Sequence, residues 1–84
     1  MNKKQLIQSL RDGVRYVVTS PKTHKYYGVP READIIQTNA IRFDGGSWLY
    51  FADVKATDIT DRGFRISDLC GGFIEYEKVR ENDR

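Results

Sequence analysis

The sequence predicts an α+β domain, with one short N-terminal helix followed by five or six short antiparallel strands. Three observations predict it. The first residues place capping groups around a narrow apolar stripe. Most of the remaining chain alternates apolar and polar side chains over short runs, the period of a half-buried strand. Between those runs lie turns rich in Gly, Pro and Asp. At 84 residues there is room for one core, so 1–84 reads as a single domain.

The helix is expected over about 2–12. Asn2 can cap it, and Gln5 stands three residues later in capping-box spacing. Leu6, Ile7 and Leu10 form the stripe, Arg11 suits the negative end of the helix dipole, and Gly13 stands where a left-handed cap belongs. Lys3 and Lys4 oppose the dipole. A helix this short is marginal alone and needs a sheet to dock on.

Strands fill about 14–79. Residues 14–19 are rich in β-branched and aromatic side chains, with Val14, Tyr16 and Val18 on one face. Ser20-Pro21 ends this strand, because proline cannot donate to a ladder. Residues 21–31 read as a long loop with a short strand at 25–29. Extended character resumes at 33–38 and is expected to continue through Asn39, with a bend or bulge, into a hairpin spanning 39–51.

In that hairpin, a three-residue loop at Asp44-Gly45-Gly46 places Phe43 opposite Ser47, Arg42 opposite Trp48, Ile41 opposite Leu49 and Ala40 opposite Tyr50. Ile41, Phe43, Leu49 and Phe51 then share an apolar face, which is core. Arg42, Trp48 and Tyr50 share the other. A loop of two or four residues would exchange the faces.

After Phe51 the reading divides. Residues 52–59 fit either a helical turn or a strand, with Val54, Ala56 and Ile59 partly buried. Thr60 to Gly63 is a turn, leading to a strand at 64–67 with Phe64 and Ile66 inward. A second Gly-rich turn at 68–72 precedes the last strand, 73–79, whose Ile74 and Tyr76 contrast with Glu75, Glu77 and Lys78. The polar tail 80–84 is expected to fray. A sheet this small must curl or be covered to hide its edges, so an SH3-like or partly open barrel plugged by the helix is the first expectation. A flat sheet with the helix on one face is the second.

Composition narrows the function classes. About two-fifths of the residues are apolar and three-tenths charged, an ordinary globular balance. No apolar run approaches the ~20 residues of a membrane helix, and residues 5–10 are too polar for a signal-peptide core. The single cysteine, Cys70, cannot form an internal disulfide, so a cytoplasmic protein without a membrane is expected. Residues 1–42 hold eight basic and three acidic side chains, net +5; residues 43–84 hold six and nine, net −3. A basic half attracts phosphate or an acidic protein surface, although solvent faces of small sheets also collect such charges.

Catalytic patterns do not assemble. One histidine and one cysteine cannot build a tetrahedral zinc site, so no metal or cofactor is expected. Cys70 and His24 lack any local mark of a nucleophile pair. The glycine pairs Gly45-Gly46 and Gly71-Gly72 sit in hairpin turns rather than in a phosphate loop. Asp58 and Asp61 lack calcium-loop spacing. Glu75 and Glu77 read as a solvated edge rather than a paired acid and base.

Two candidate binding sites remain. On the hairpin, Arg42 opposite Trp48 can stack as a cation–π pair, and Trp, Tyr and Arg are the residues most enriched in interface hot spots. The competing reading makes Trp48 the core tryptophan of a small barrel. In the loop, Lys22, His24, Lys25 and Arg31 interleave with Tyr26 and Tyr27, a mixture that can track a phosphate backbone and stack bases. The competing reading folds those tyrosines back on the barrel. The expected function is a non-enzymatic module acting on a protein partner through Arg42, Trp48 and Tyr50. Such a module would be an inhibitor or adaptor, of the small accessory kind common in mobile genetic elements such as phages. The alternative is a nucleic-acid-binding domain using Lys22, His24, Lys25, Tyr26, Tyr27 and Arg31. Either allows a homodimer through an exposed edge at 73–79, unless Glu75, Glu77 and Lys78 protect that edge.

Overall fold

The computed structural model describes residues 1–36, 39–43, 48–67 and 71–79. The expected loop at Asp44-Gly45-Gly46, the pairing of Phe43 with Ser47, Cys70 and the tail 80–84 lie outside them. In chain order the elements are helix α1 (Lys3–Arg11) and strands β1 (Tyr16–Ser20), β2 (Asp34–Ile36), β3 (Ala40–Arg42) and β4 (Leu49–Tyr50). Two 3-10 turns come next, Phe51–Asp53 and Ala56–Asp58, then β5 (Gly63–Ser67) and β6 (Phe73–Lys78). The class is α+β. These strands are hydrogen-bonded as two antiparallel three-stranded sheets, ordered β1-β6-β5 and β2-β3-β4.

Helix α1 is bounded by the groups the sequence marks. The Gln5 N–H donates to Asn2 Oδ1 at 2.8 Å, and the Asn2 N–H donates to Gln5 Oε1 at 2.9 Å, completing the capping box. At the other end the Gly13 N–H reaches Leu10 O and the Val14 N–H reaches Ser9 O, with Gly13 at φ 78°. That pairing is a Schellman ending, and its left-handed residue carries no Cβ penalty because it is glycine. Leu6 and Leu10 are 1% and 2% exposed. Ser9 is buried beside them, its hydroxyl 2.7 Å from Leu6 O and 2.6 Å from the Tyr16 hydroxyl. Either hydroxyl of the Ser9–Tyr16 pair can be the donor. This contact ties α1 to β1. Burial pushes the Tyr16 hydroxyl pKa above its ordinary 10.0, and the Ser9 hydrogen bond partly offsets that rise.

In the first sheet Tyr16 and Val18 face inward from β1, as their alternation requires. Strand β6 is central, paired with β1 on one side and β5 on the other. The sequence expectation of an edge at 73–79 is therefore corrected. Both hydrogen-bonding sides of β6 are occupied, so it offers no edge for a homodimer and Glu75, Glu77 and Lys78 protect none. Gly63 opens β5 opposite Glu77, where a Cβ would collide with the Tyr76 carbonyl oxygen. The close approach of β5 and β6 thus depends on the missing side chain.

The second sheet departs from expectation at its start. Strand β2 does not run on into the hairpin through a bend: β3 returns antiparallel to it, with Ile36 opposite Ala40. The physical reason is turn chemistry. Asn39, which lies in the turn, is disfavoured in strands and common where the chain reverses. The undecided stretch 52–59 holds the 3-10 turns, with Val54 buried between them.

Both sheets contribute to one core. Phe64 and Tyr76 are cross-strand partners with rings stacked at 5.0 Å, and Tyr16 meets Phe64 edge-on at 5.4 Å. Phe43, at the end of β3, stacks on Tyr76 at 4.8 Å and so joins the second sheet to the first. Leu6, Leu10, Val18, Ile41, Phe51 and Val54 complete the cluster. Among the described residues no helix is long and apolar enough to cross a membrane.

Candidate binding site

The hairpin register is the expected one, with Ala40 opposite Tyr50 and Ile41 opposite Leu49. Ile41, Phe43 and Phe51 are buried and Leu49 packs against them, so the apolar face is core. On the other face the Arg42 guanidinium carbon lies 4.6 Å from the Trp48 ring centroid. Trp48 is half-buried and does not belong to the hydrophobic core cluster. Tyr50 is 53% exposed. Ala40 is fully buried, so among the described residues Arg42, Trp48 and Tyr50 make up the accessible part of this hairpin face. Strand β2 adds Asp34, which faces Arg42 in register and accepts from Arg42 Nε at 3.5 Å. The arginine is thus held between a carboxylate and an indole ring.

The loop candidates are partly committed to one another. The loop backbone folds into successive turns, with His24 N–H to Pro21 O, Tyr27 N–H to His24 O and Val29 N–H to Tyr26 O, each 3.0 Å. The Gly28 N–H donates to Val18 O and pins the loop beside β1, and Arg31 pairs with Tyr16 through both backbone groups. His24 Nδ1 accepts the Tyr26 N–H at 3.0 Å, so the imidazole shapes the turn. The Tyr26 ring carries the Arg31 guanidinium at 4.3 Å and Lys25 Nζ at 5.3 Å. Tyr27 is 42% exposed, and Lys22 and Lys25 are exposed. Of the two loop tyrosines, one is folded into intramolecular stacking and the other faces outward.

The tertiary structure brings part of each set to one place. A cavity of about 330 Å³ opens between the sheets. Ile41, Phe43, Leu49, Ile66, Ile74 and Tyr76 form its apolar walls, and His24, Lys25, Tyr26 and Arg42 complete its lining. Among the described residues no carboxylate lines it. Lys22, Tyr27 and Arg31 from the loop are not among its lining residues, nor are Trp48 and Tyr50 from the hairpin.

A third arginine–aromatic pair was not expected from the sequence. Arg65 lies 4.1 Å over Phe73, and its Nε donates to Asp58 Oδ1 at 3.2 Å. Arg65 and Phe73 are diagonal neighbours on the paired strands β5 and β6. Asp58 carries no such signal, since only folding brings its 3-10 turn to β5. As for the carboxylates weighed for chemistry, Glu75 pairs with Arg65 in register and Glu77 stands 3.8 Å from Arg62 Nε. Among the described residues no three His, Cys, Asp or Glu side chains gather as metal ligands.

No protein-family model matches this chain, and no curated protein or solved structure matches it.

Proposed function

We propose that this chain is a non-enzymatic binding module that acts on a protein partner as an inhibitor or adaptor. The observation that carries the reading is Arg42 stacked on Trp48 beside a Tyr50 that is 53% exposed, on the sheet face turned away from the core. Stacking holds the guanidinium in one orientation before any partner arrives, which lowers the ordering cost of association. Aromatic side chains present large area with few rotatable bonds, the property that concentrates binding energy at hot spots. The finer architecture belongs to the same reading: two three-stranded sheets around one core are consistent with a partly open, SH3-like barrel.

Affinity capture from a lysate, with and without nuclease, tests this. The reading requires a protein recovered equally well after nuclease treatment and lost with the Trp48→Ala/Tyr50→Ala variant. Recovery untouched by that double substitution would overturn it. Nucleic-acid binding is the second reading, supported by the outward Tyr27 and the exposed Lys22 and Lys25. The self-stacking of Tyr26 with Arg31 weighs against it, because those groups would have to be released first. Binding by this route should fall steeply with salt and weaken when Lys22 and Lys25 become alanine.

A further inference from the structure

We propose that the cavity between the two sheets seats an acidic peptide segment of the partner, with one apolar side chain held inside and carboxylates on its flanks. The inference rests on the protein-binding reading and names the chemistry of what is bound. Six apolar residues wall the cavity, Lys25 and Arg42 bring positive charge to it, and no acidic side chain lines it among the described residues. The complementary ligand therefore has an apolar centre and negative surroundings. At about 330 Å³ the space lies at the small end of ligand sites, which run from roughly 300 to 1,000 Å³. It suits a single anchoring side chain better than a whole folded element.

Arg42 is placed to serve both surfaces. It lines the cavity while stacked on Trp48, so one side chain touches both the cavity and the hairpin face. A guanidinium presents a planar fork that a carboxylate can engage with two hydrogen bonds. Its present partner, Asp34, meets Nε at 3.5 Å, and the Asp34 side chain is 65% exposed. Asp34 thus occupies the position an incoming acidic residue would take, through a contact weak enough to be exchanged. A second cavity, of about 280 Å³, shows the contrast: Asp61, Glu75 and Glu77 line it against the single cation Arg62, so its net charge is acidic and unfavourable to the same ligand.

The test is an amide NMR titration of the intact chain with the peptide acetyl-Glu-Asp-Phe-Asp-Glu-amide. Expected are shifts at Lys25, Arg42, Ile66 and Ile74, and binding weakened roughly tenfold or more when the peptide's Phe becomes Gly. Asp34→Asn should tighten binding about threefold by removing the internal competitor. The Lys25→Glu/Arg42→Glu variant should prefer acetyl-Lys-Lys-Phe-Lys-Lys-amide instead. If that variant does not fold, the Asp34→Asn comparison carries the test, since it alters only an exposed contact. Equal shifts from the acidic and basic peptides on the unmodified chain would overturn the inference. So would shifts at these residues from a ten-nucleotide thymidine strand but not from the peptide. A partner captured through Trp48 and Tyr50 while the cavity residues stay silent would sink the inference and leave the protein-binding reading standing.

Discussion

In the β1-β6-β5 sheet Arg65 lies 4.1 Å over Phe73 and is held by Asp58, while in the β2-β3-β4 sheet Arg42 lies 4.6 Å over Trp48 beside Asp34. The residue types are nearly the same, yet the surroundings differ. The Asp58 side chain is only 19% exposed and does two jobs, accepting from Arg65 at 3.2 Å and from the Lys55 backbone N–H at 3.3 Å. It fastens a 3-10 turn to β5. Asp34 is 65% exposed, makes the longer contact, and among the described residues fastens only the arginine it faces. Arg42 also lines the cavity between the sheets, which Arg65 does not. One cluster therefore fastens the fold, and the other is tied to it more loosely, which is what the proposed binding role needs. What separates them is the anchoring of the carboxylate, not the arginine–aromatic pair.

That contrast can be broken by substitution. The largest effect is expected in the first sheet at Gly63→Ala, where the new methyl would collide with the Tyr76 carbonyl. Urea unfolding should show a loss of about 3 kcal/mol or more, and near-native stability would mean that β5 and β6 are not so closely apposed. Next comes Asp58→Ala, expected to cost about 1–2 kcal/mol, against under about 0.5 kcal/mol for Asp34→Ala. Equal losses in the two variants would erase the distinction drawn between the clusters.

Tyr16→Phe removes one buried hydrogen bond and should cost about 1 kcal/mol at neutral pH. It should also flatten the alkaline limb of stability. Because the folded hydroxyl has its pKa raised above 10.0, the folded state binds more protons than the unfolded state as pH climbs past that value. The contribution is full below about pH 10 and is lost as pH rises through the raised value. Urea midpoints of the two proteins should therefore converge above about pH 10, and parallel curves would exclude this origin. The smallest effect is in the aromatic partners. Removing either stack, by Trp48→Ala or Phe73→Ala, forfeits roughly 0.5–1 kcal/mol of cation–π energy. Only the Trp48 change should diminish partner capture, and a matching loss with Phe73→Ala would show that the first sheet also binds.

The legible parts of the molecule are those whose partners lie close along the chain. Asn2 with Gln5, and Gly13 with Leu10, sit within one helical turn of each other, so cap chemistry alone places them. The Arg42–Trp48 stack followed from hairpin alternation and a short loop. The contact of Ser9 with Tyr16 was not legible, since a serine on an apolar stripe gives no sign of the hydroxyl it will meet. Nor was the role of Tyr26: the loop's composition allowed either outward tyrosines or tyrosines folded back, and gave no sign that this ring would be taken by Arg31 from the far end of the same loop.

The α+β class, the helix with both its ends and the two faces of the hairpin were all readable from residue order. Local geometry sets these, through 3.6-residue and 2-residue periods and the few residues that cap or turn. Residue order pointed to one curled sheet with an edge at 73–79, and it gave neither the division into two sheets, nor the central place of β6, nor a cavity shared by loop and hairpin. Three-dimensional packing supplies all three. The answers depend on which distant segments bury their apolar surface together, as when Phe43 stacks on Tyr76 across the two sheets. Burial energy is non-directional and common to the whole core, so no single segment carries it in its own pattern.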